Sequence, residues 1–136
     1  MVYFRHPASR VKLGSAALVA GLALAASPCR GQNLITNGGF ELGPNPGSFA
    51  SVCPPSTSIT GWTVIRDCVH YMGSYWVADD GVRSLDLDAL EGDSGGISQS
   101  FATTPGRLYL VSFSLAGNYV SGPALKRMRV LAAGAS

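Results

Sequence analysis

Asn33-Leu34-Ile35-Thr36-Asn37-Gly38-Gly39-Phe40-Glu41 is the stretch on which the reading of this chain turns. A short apolar run, Leu34-Ile35, leads into a corner built from Asn-Gly-Gly. Asn and Gly tolerate positive φ, so the corner has a physical cause and is not merely a polar gap. Phe40, an aromatic of buried type, follows, and Glu41 places a carboxylate beside it. The pattern is a first strand at 34–36, then a tight turn with an apolar anchor.

Upstream, Arg5, Arg10 and Lys12 precede an apolar, small-residue run at 13–26, and residues 27–31 are polar and contain Pro28. That three-part order is the pattern of a secretory signal peptide. The run is too short for a membrane span, which takes about 20 apolar residues, so the mature chain is expected to have no transmembrane segment. A cut after Gly31 makes Gln32 the mature N-terminus, and a cut after Ala25 competes with it. Cys29 brings lipidation to mind, but Pro28 directly before it spoils the usual small-residue lipobox. The expected organisation is a signal peptide over 1–31 and one β-sandwich domain over 32–136, with the product secreted, periplasmic or held at the cell surface.

Removing the signal reverses the charge. The whole chain carries a formal net charge of +2. Residues 32–136 keep Arg66, Arg83, Arg107, Lys126, Arg127 and Arg129 against Glu41, Asp67, Asp79, Asp80, Asp86, Asp88, Glu91 and Asp93, which is −2. No basic footprint remains, and nucleic acid is not an expected partner. Of three cysteines, Cys53 and Cys68 stay in the mature chain. In an exported protein an even pair reads first as a disulfide, with Cα atoms about 4.4–6.8 Å apart. It would close a loop of about 15 residues, worth roughly 3 kcal/mol in the chain-entropy model. Two free buried thiols are the alternative. His70 is the sole mature histidine and has no partner at metal-ligand spacing.

Downstream, no segment shows a convincing helical period, and short apolar runs alternate with Gly, Pro, Asn and Asp clusters. This predicts an all-β sandwich. Strands are expected at 61–65, 69–71, 83–88, 97–101, 108–115 and 126–131, with turns at Asp79-Asp80-Gly81, 92–96 and Pro105-Gly106. The proline-bearing stretch 43–58 reads as a long loop. Along 84–88 leucine alternates with aspartate, which sends Leu85 and Leu87 inward and Asp86 and Asp88 outward. Along 108–115, the face of Tyr109, Val111, Phe113 and Leu115 is the better core candidate.

The order of these pieces resembles a known family. The 33–41 stretch is followed by Thr60-Gly61-Trp62-Thr63-Val64, Val69-His70-Tyr71, Trp76 and Asp80-Gly81-Val82-Arg83-Ser84-Leu85-Asp86-Leu87. Gly96-Ile97-Ser98-Gln99-Ser100-Phe101, the run from Tyr109 to Asn118 and Gly122-Pro123-Ala124-Leu125-Lys126 complete the series. That succession is similar to the bacterial choice-of-anchor C proteins and their plant cell-wall relatives, the domain-of-unknown-function 642 family. The resemblance implies a galactose-binding-like jelly-roll sandwich exported to the cell surface or wall, in a fold that includes many carbohydrate-binding modules. It also implies closing strands beyond Ser136. The expectation is therefore an incomplete sandwich with Tyr109, Val111 and Phe113 partly uncovered.

Sugar rings present apolar C–H faces, which suit aromatic platforms. Of Trp62, Tyr71, Tyr75, Trp76 and Tyr119, Trp62 follows Gly61 at the start of a strand and reads as core. Tyr75 and Trp76, with Asp79 and Asp80 in the same glycine-flanked loop, and Tyr119 after Gly117-Asn118, are the candidate ligand-binding residues; packing beneath the loops is their alternative role. Asp86 and Asp88 would suit a hydrolase only at about 5 Å or 6.5–9.5 Å separation in a cleft. A solvated strand face is the plainer reading, and no nucleophile–base arrangement stands in convincing context, so no catalysis is expected. The resemblance further implies a structural calcium with Glu41 as one ligand, completed by carbonyls and an acidic residue from a closing strand. Glu41 as a simple turn cap is the alternative. The sequence thus points to a non-catalytic module for cell-wall or extracellular polysaccharide. The rival is a structural or adhesive envelope protein that uses the sandwich for protein–protein contacts.

Overall fold

Val69-His70-Tyr71-Met72 forms the strand around which the described fold is built. Val69 and Tyr71, two residues apart and so on one face, are fully buried, whereas His70 between them is half-buried. The computed structural model describes residues 2–3, 32–89, 94–118 and 124–132. Within them lie β1 (Val2–Tyr3), β2 (Phe49–Val52), β3 (Thr63–Val64), β4 (Val69–Met72), β5 (Ser84–Asp86), β6 (Ile97–Ser98) and β7 (Ser114–Leu115). One sheet has the order β2-β4-β5-β1-β7, and a second pairs β3 with β6. Every strand ladder is antiparallel and the described residues contain no helix, so the described fold is all-β.

Register fixes the core. Tyr71 pairs with Ala50 on one side and with Leu85 on the other, while Val64 pairs with Ile97 in the second sheet. Phe40, Val52, Ile59, Trp62, Val64, Val69, Tyr71 and Leu85 form one buried cluster drawn from both sheets and their connections, with Ile35, Leu87 and Ile97 packed against it. Each such side chain contributes about 1.5–3 kcal/mol by leaving water. Trp62, expected in the core, is there, with its ring centroid 5.4 Å from that of Phe40. Cys53 and Cys68 form the disulfide, which rules out the alternative of free thiols. They stand one step beyond the Val52–Val69 pair of adjacent strands, so their Cα atoms lie 4.0 Å apart, closer than expected.

The 34–36 strand does not form. Leu34 and Ile35 join no ladder, and residues 36–39 turn instead. Side-chain amides satisfy this backbone: Asn33 Oδ1 accepts from Ile35 N, and Gln99 both accepts from Thr36 N and donates to the Thr36 carbonyl. Asn37 holds the corner at φ 53°. Its Nδ2 donates to the carbonyls of Leu42 and Thr60, both at 2.8 Å, and its Oδ1 accepts from Leu42 N at 2.9 Å. Its own carbonyl accepts from Phe40 N and from Trp62 Nε1. The second positive φ falls on Phe40, at 62°, and not on Gly38 or Gly39. A bulky residue adopts that conformation only when its surroundings hold it there. Here the fully buried ring does so.

Other expectations need correction as well. The 43–58 loop contains β2, a strand hidden between Pro46-Gly47 and Cys53-Pro54. Asp86 is not on a solvated face: β5 is an interior strand, Asp86 is only 9% exposed, and its Oδ1 accepts from Asp88 N at 3.1 Å. Only Ser114 and Leu115 of the 108–115 run are paired in a strand. Leu108 and Leu110 are 100% and 94% exposed, and Tyr109, Val111 and Leu115 are exposed too, so neither face is core. Residues 126–131 join no ladder. The Pro105-Gly106 turn forms, with Gly106 at φ 76°. The stretch 1–31, expected to be a signal peptide, lies outside the described residues except for β1, which pairs with β5 and β7. Part of the 92–96 turn also lies outside them.

Asn37→Ala removes three side-chain hydrogen bonds at once. Net contributions of about 0.5–1.5 kcal/mol each give a loss of about 1.5–4.5 kcal/mol, seen as a lower denaturation midpoint at unchanged slope. Asn37→Gly keeps the positive φ but makes none of those bonds, so it should recover only a small part of the loss.

Candidate functional site

After Met72 the chain enters the loop that carries the predicted platforms, and this loop is tied down at both ends. At its start, Gly73 N and Tyr75 N donate to the Ser48 carbonyl at 2.8 and 3.2 Å, and Ser74 N donates to the Gly47 carbonyl at 3.1 Å. A Cβ on Gly73 would run into that Gly47 carbonyl, so the two loops meet this closely only because residue 73 is glycine. At its far end, Gly81 has φ 69°, and Glu41 Oε1 accepts from Val82 N and Arg83 N at 2.9 and 3.0 Å. A side chain at Gly81 would collide with the Glu41 carboxylate.

Between these ties lies an open groove of about 440 Å³. One wall is Asn45, Pro46 and Gly47; the other runs from Gly73 and Ser74 through Trp76, Val77 and Ala78 to Gly81, Val82 and Arg83. Trp76 is half-buried, and its ring stands 5.4 Å from that of Tyr75, which is 59% exposed. Tyr75 continues to Phe49 at 5.5 Å, and Phe49 to His70 at 4.7 Å, making a row of rings along β2 and β4 beside the groove. At the other end, Arg83 Nη1 donates to the Pro44 carbonyl at 2.8 Å, and the guanidinium carbon lies 5.2 Å from the centre of the Tyr71 ring. Tyr71 donates its hydroxyl proton to the Phe40 carbonyl at 2.6 Å. Burial pushes the Tyr71 phenol above its ordinary pKa, and the neighbouring Arg83 cation offsets part of that rise.

The predicted residues are therefore brought together only in part. Trp76 lines the groove, and Tyr75 flanks it. Asp79 and Asp80 are exposed in the same loop, outside the lining, with Asp79 Oδ2 accepting from Ser114 Oγ at 2.7 Å. Tyr71 and Trp62 are core. Tyr119 lies outside the described residues. Glu41 Oε1 accepts from the backbone N–H groups of Val82 and Arg83. Among the described residues no three His, Cys, Asp or Glu side chains are grouped to hold a metal. Sequence reasoning missed Arg83, Asn45 and Pro46. The tract Asp80-Gly81-Val82-Arg83 was in view, but only as part of a turn and a strand. Pairing of β2 with β4 and of β4 with β5 is what sets residues 45–47 against residues 73–83. With an indole face, a guanidinium and loop backbone, the groove has the parts for binding a polar ring.

Residues 33–136 match the family described as "Protein of unknown function (DUF642)". Over 109 residues the chain is 35% identical to "Halomucin" of Haloquadratum walsbyi, covering 76% of this chain and 1% of that protein. Over 87 residues it is 36% identical to "Protein DUF642 L-GALACTONO-1,4-LACTONE-RESPONSIVE GENE 1" of Arabidopsis thaliana, covering 61% of this chain and 23% of that protein. The chain thus spans under a quarter of either relative's length. No solved structure matches it.

Tyr71 links stability to alkaline pH. A phenol whose pKa is raised by folding from its ordinary 10.0 stays protonated in both states below pH 10. Its stabilising effect is then complete and is lost as pH climbs from about 10 through the raised value. Tyr71→Phe should lose about 0.5–1.5 kcal/mol at neutral pH with the hydrogen bond to Phe40, and should flatten the alkaline decline. Denaturant titrations of both proteins at pH 7 to 11 measure the two effects.

Proposed function

This chain belongs to the DUF642 family, and from that premise we propose that it is an exported, non-catalytic module that binds extracellular or cell-wall polysaccharide in the groove beside Trp76. The observation that carries this reading is the half-buried indole in an open groove whose two walls are locked to each other by backbone hydrogen bonds. Stacking on a sugar ring needs a fixed aromatic face, and a fixed loop avoids the entropy of ordering on binding. Among the described residues that line the groove there is no histidine, cysteine or carboxylate, which supports binding over hydrolysis. The disulfide agrees with an oxidising compartment, as the signal-like pattern of residues 1–31 does. The two sheets and their shared core support the galactose-binding-like jelly roll as the fold.

A second reading has its own observation. Leu108, Leu110 and Val111 expose a run of apolar side chains, the kind of surface that marks protein contacts. An envelope or adhesive protein would use that surface and would leave the groove without a ligand.

Affinity electrophoresis through gels containing cellulosic, galactose-containing or acidic polysaccharides separates the two. Retardation is expected for the first reading, and uniform silence for the second. Trp76→Ala should weaken retention about tenfold, equivalent to about 1.4 kcal/mol, with nearly unchanged melting. Trp62→Ala should do the reverse, losing about 3–5 kcal/mol of stability through its core cavity.

A further inference from the structure

We infer that Arg83 makes this groove selective for an anionic glycan, one whose sugars carry carboxylate or sulfate oxygens; this rests on the reading that the groove binds polysaccharide. Arg83 lines the groove directly and is half-buried there. Three contacts fix its position: its backbone N–H on Glu41, its Nη1 on the Pro44 carbonyl, and the face of Tyr71 near its guanidinium. All three leave the positive charge in place, because the side-chain partners are a neutral carbonyl and a neutral ring. Among the described residues no carboxylate forms an ion pair with this guanidinium.

The acidic groups nearby lie outside the groove lining, with the Glu41 carboxylate just behind Gly81. Glu41 turns Oε1 to two backbone N–H groups, Asp79 accepts from Ser114, and neither these two nor Asp80 belongs to the lining. Among the described residues that line the groove there is therefore one cation and no anion. A partly desolvated charge is costly unless an opposite charge meets it, and a ligand oxyanion supplies that charge. Guanidinium has five N–H donors in a planar fork that matches the two oxygens of a carboxylate or sulfate, and one donor is used by Pro44. Trp76 lies in the same wall, so a sugar stacked on the indole can present its acidic substituent to Arg83.

The decisive test changes the ligand and leaves the protein intact. Retention of the full chain is compared on alginate and its carboxyl-reduced form, and on a sulfated galactan and its desulfated form. At least about tenfold stronger retention on one charged polymer than on its neutral counterpart, weakening as salt rises, is the expected result, and the pair that shows it identifies the oxyanion. Equal retention of charged and neutral forms overturns the selectivity and leaves the polysaccharide reading standing. Silence on all four polymers and on neutral glucans and galactans overturns both. Arg83→Gln should bring the charged-to-neutral ratio close to one, and Arg83→Lys should recover part of it. A ratio unchanged in Arg83→Gln sinks the assignment to this residue.

Discussion

The side-chain amide of Asn37 is the constraint from which the rest of the structure follows. A chain that turns at residues 36–42 without a strand partner leaves backbone donors and acceptors that no ladder satisfies. Asn37 answers with both ends of one amide, reaching Leu42 on its own turn and Thr60 across the fold, while its carbonyl takes the Trp62 indole N–H. Short ladders suffice elsewhere because this corner is closed by side chains. Phe40 is thereby thrown into the core at a positive φ, with its carbonyl left for the Tyr71 hydroxyl.

Tyr71 passes that constraint on to the groove. Its hydroxyl is anchored to the corner, its backbone lies between β2 and β5, and its ring faces the Arg83 guanidinium. Burial of the phenol and the approach of a cation to its ring are thus two consequences of one placement, and they act in opposite directions on its ionisation. Glu41, the next residue along the corner, holds Val82 and Arg83 by their N–H groups. The opening stretch therefore contributes nothing to the groove lining, yet it sets the height and angle of one wall.

The opposite wall is set by a different device. Gly47 and Gly73 let two loops touch at the backbone, and three hydrogen bonds hold them together. Behind the contact, the Cys53–Cys68 bridge ties the far ends of β2 and β4, so the two strands that carry these loops stay in register. A groove made of loops is held in place here because its strands are cross-linked and its loops are fastened to each other. For the proposed polysaccharide ligand that rigidity would matter, because loose walls would spend binding energy on ordering.

Local chemistry alone settled several matters. The turn residues and short apolar runs dictated an all-β chain, because period and backbone preference are properties of neighbouring residues. Cys53 and Cys68 were legible as a bridge, Trp62 as core, and the glycine-flanked loop as the home of Tyr75 and Trp76. What failed depended on partners distant in the chain. Alternation promised strands at 34–36 and 108–115, but a strand exists only where another supplies its hydrogen bonds, and Asn33 and Gln99 side chains met that need at 34–36 instead. Asp86 looked exposed because alternation along one strand cannot see what covers that face; in the fold it pairs with His70 of β4, accepts from Asp88 N and is only 9% exposed. Arg83 looked like an ordinary strand residue until pairing of β4 with β5 brought it over Tyr71 and against the 44–47 loop. The sequence chose the kinds of element and the ring that offers a face; tertiary pairing alone chose which charge stands beside that ring, because only it brings residues 44–47 and 73–83 together.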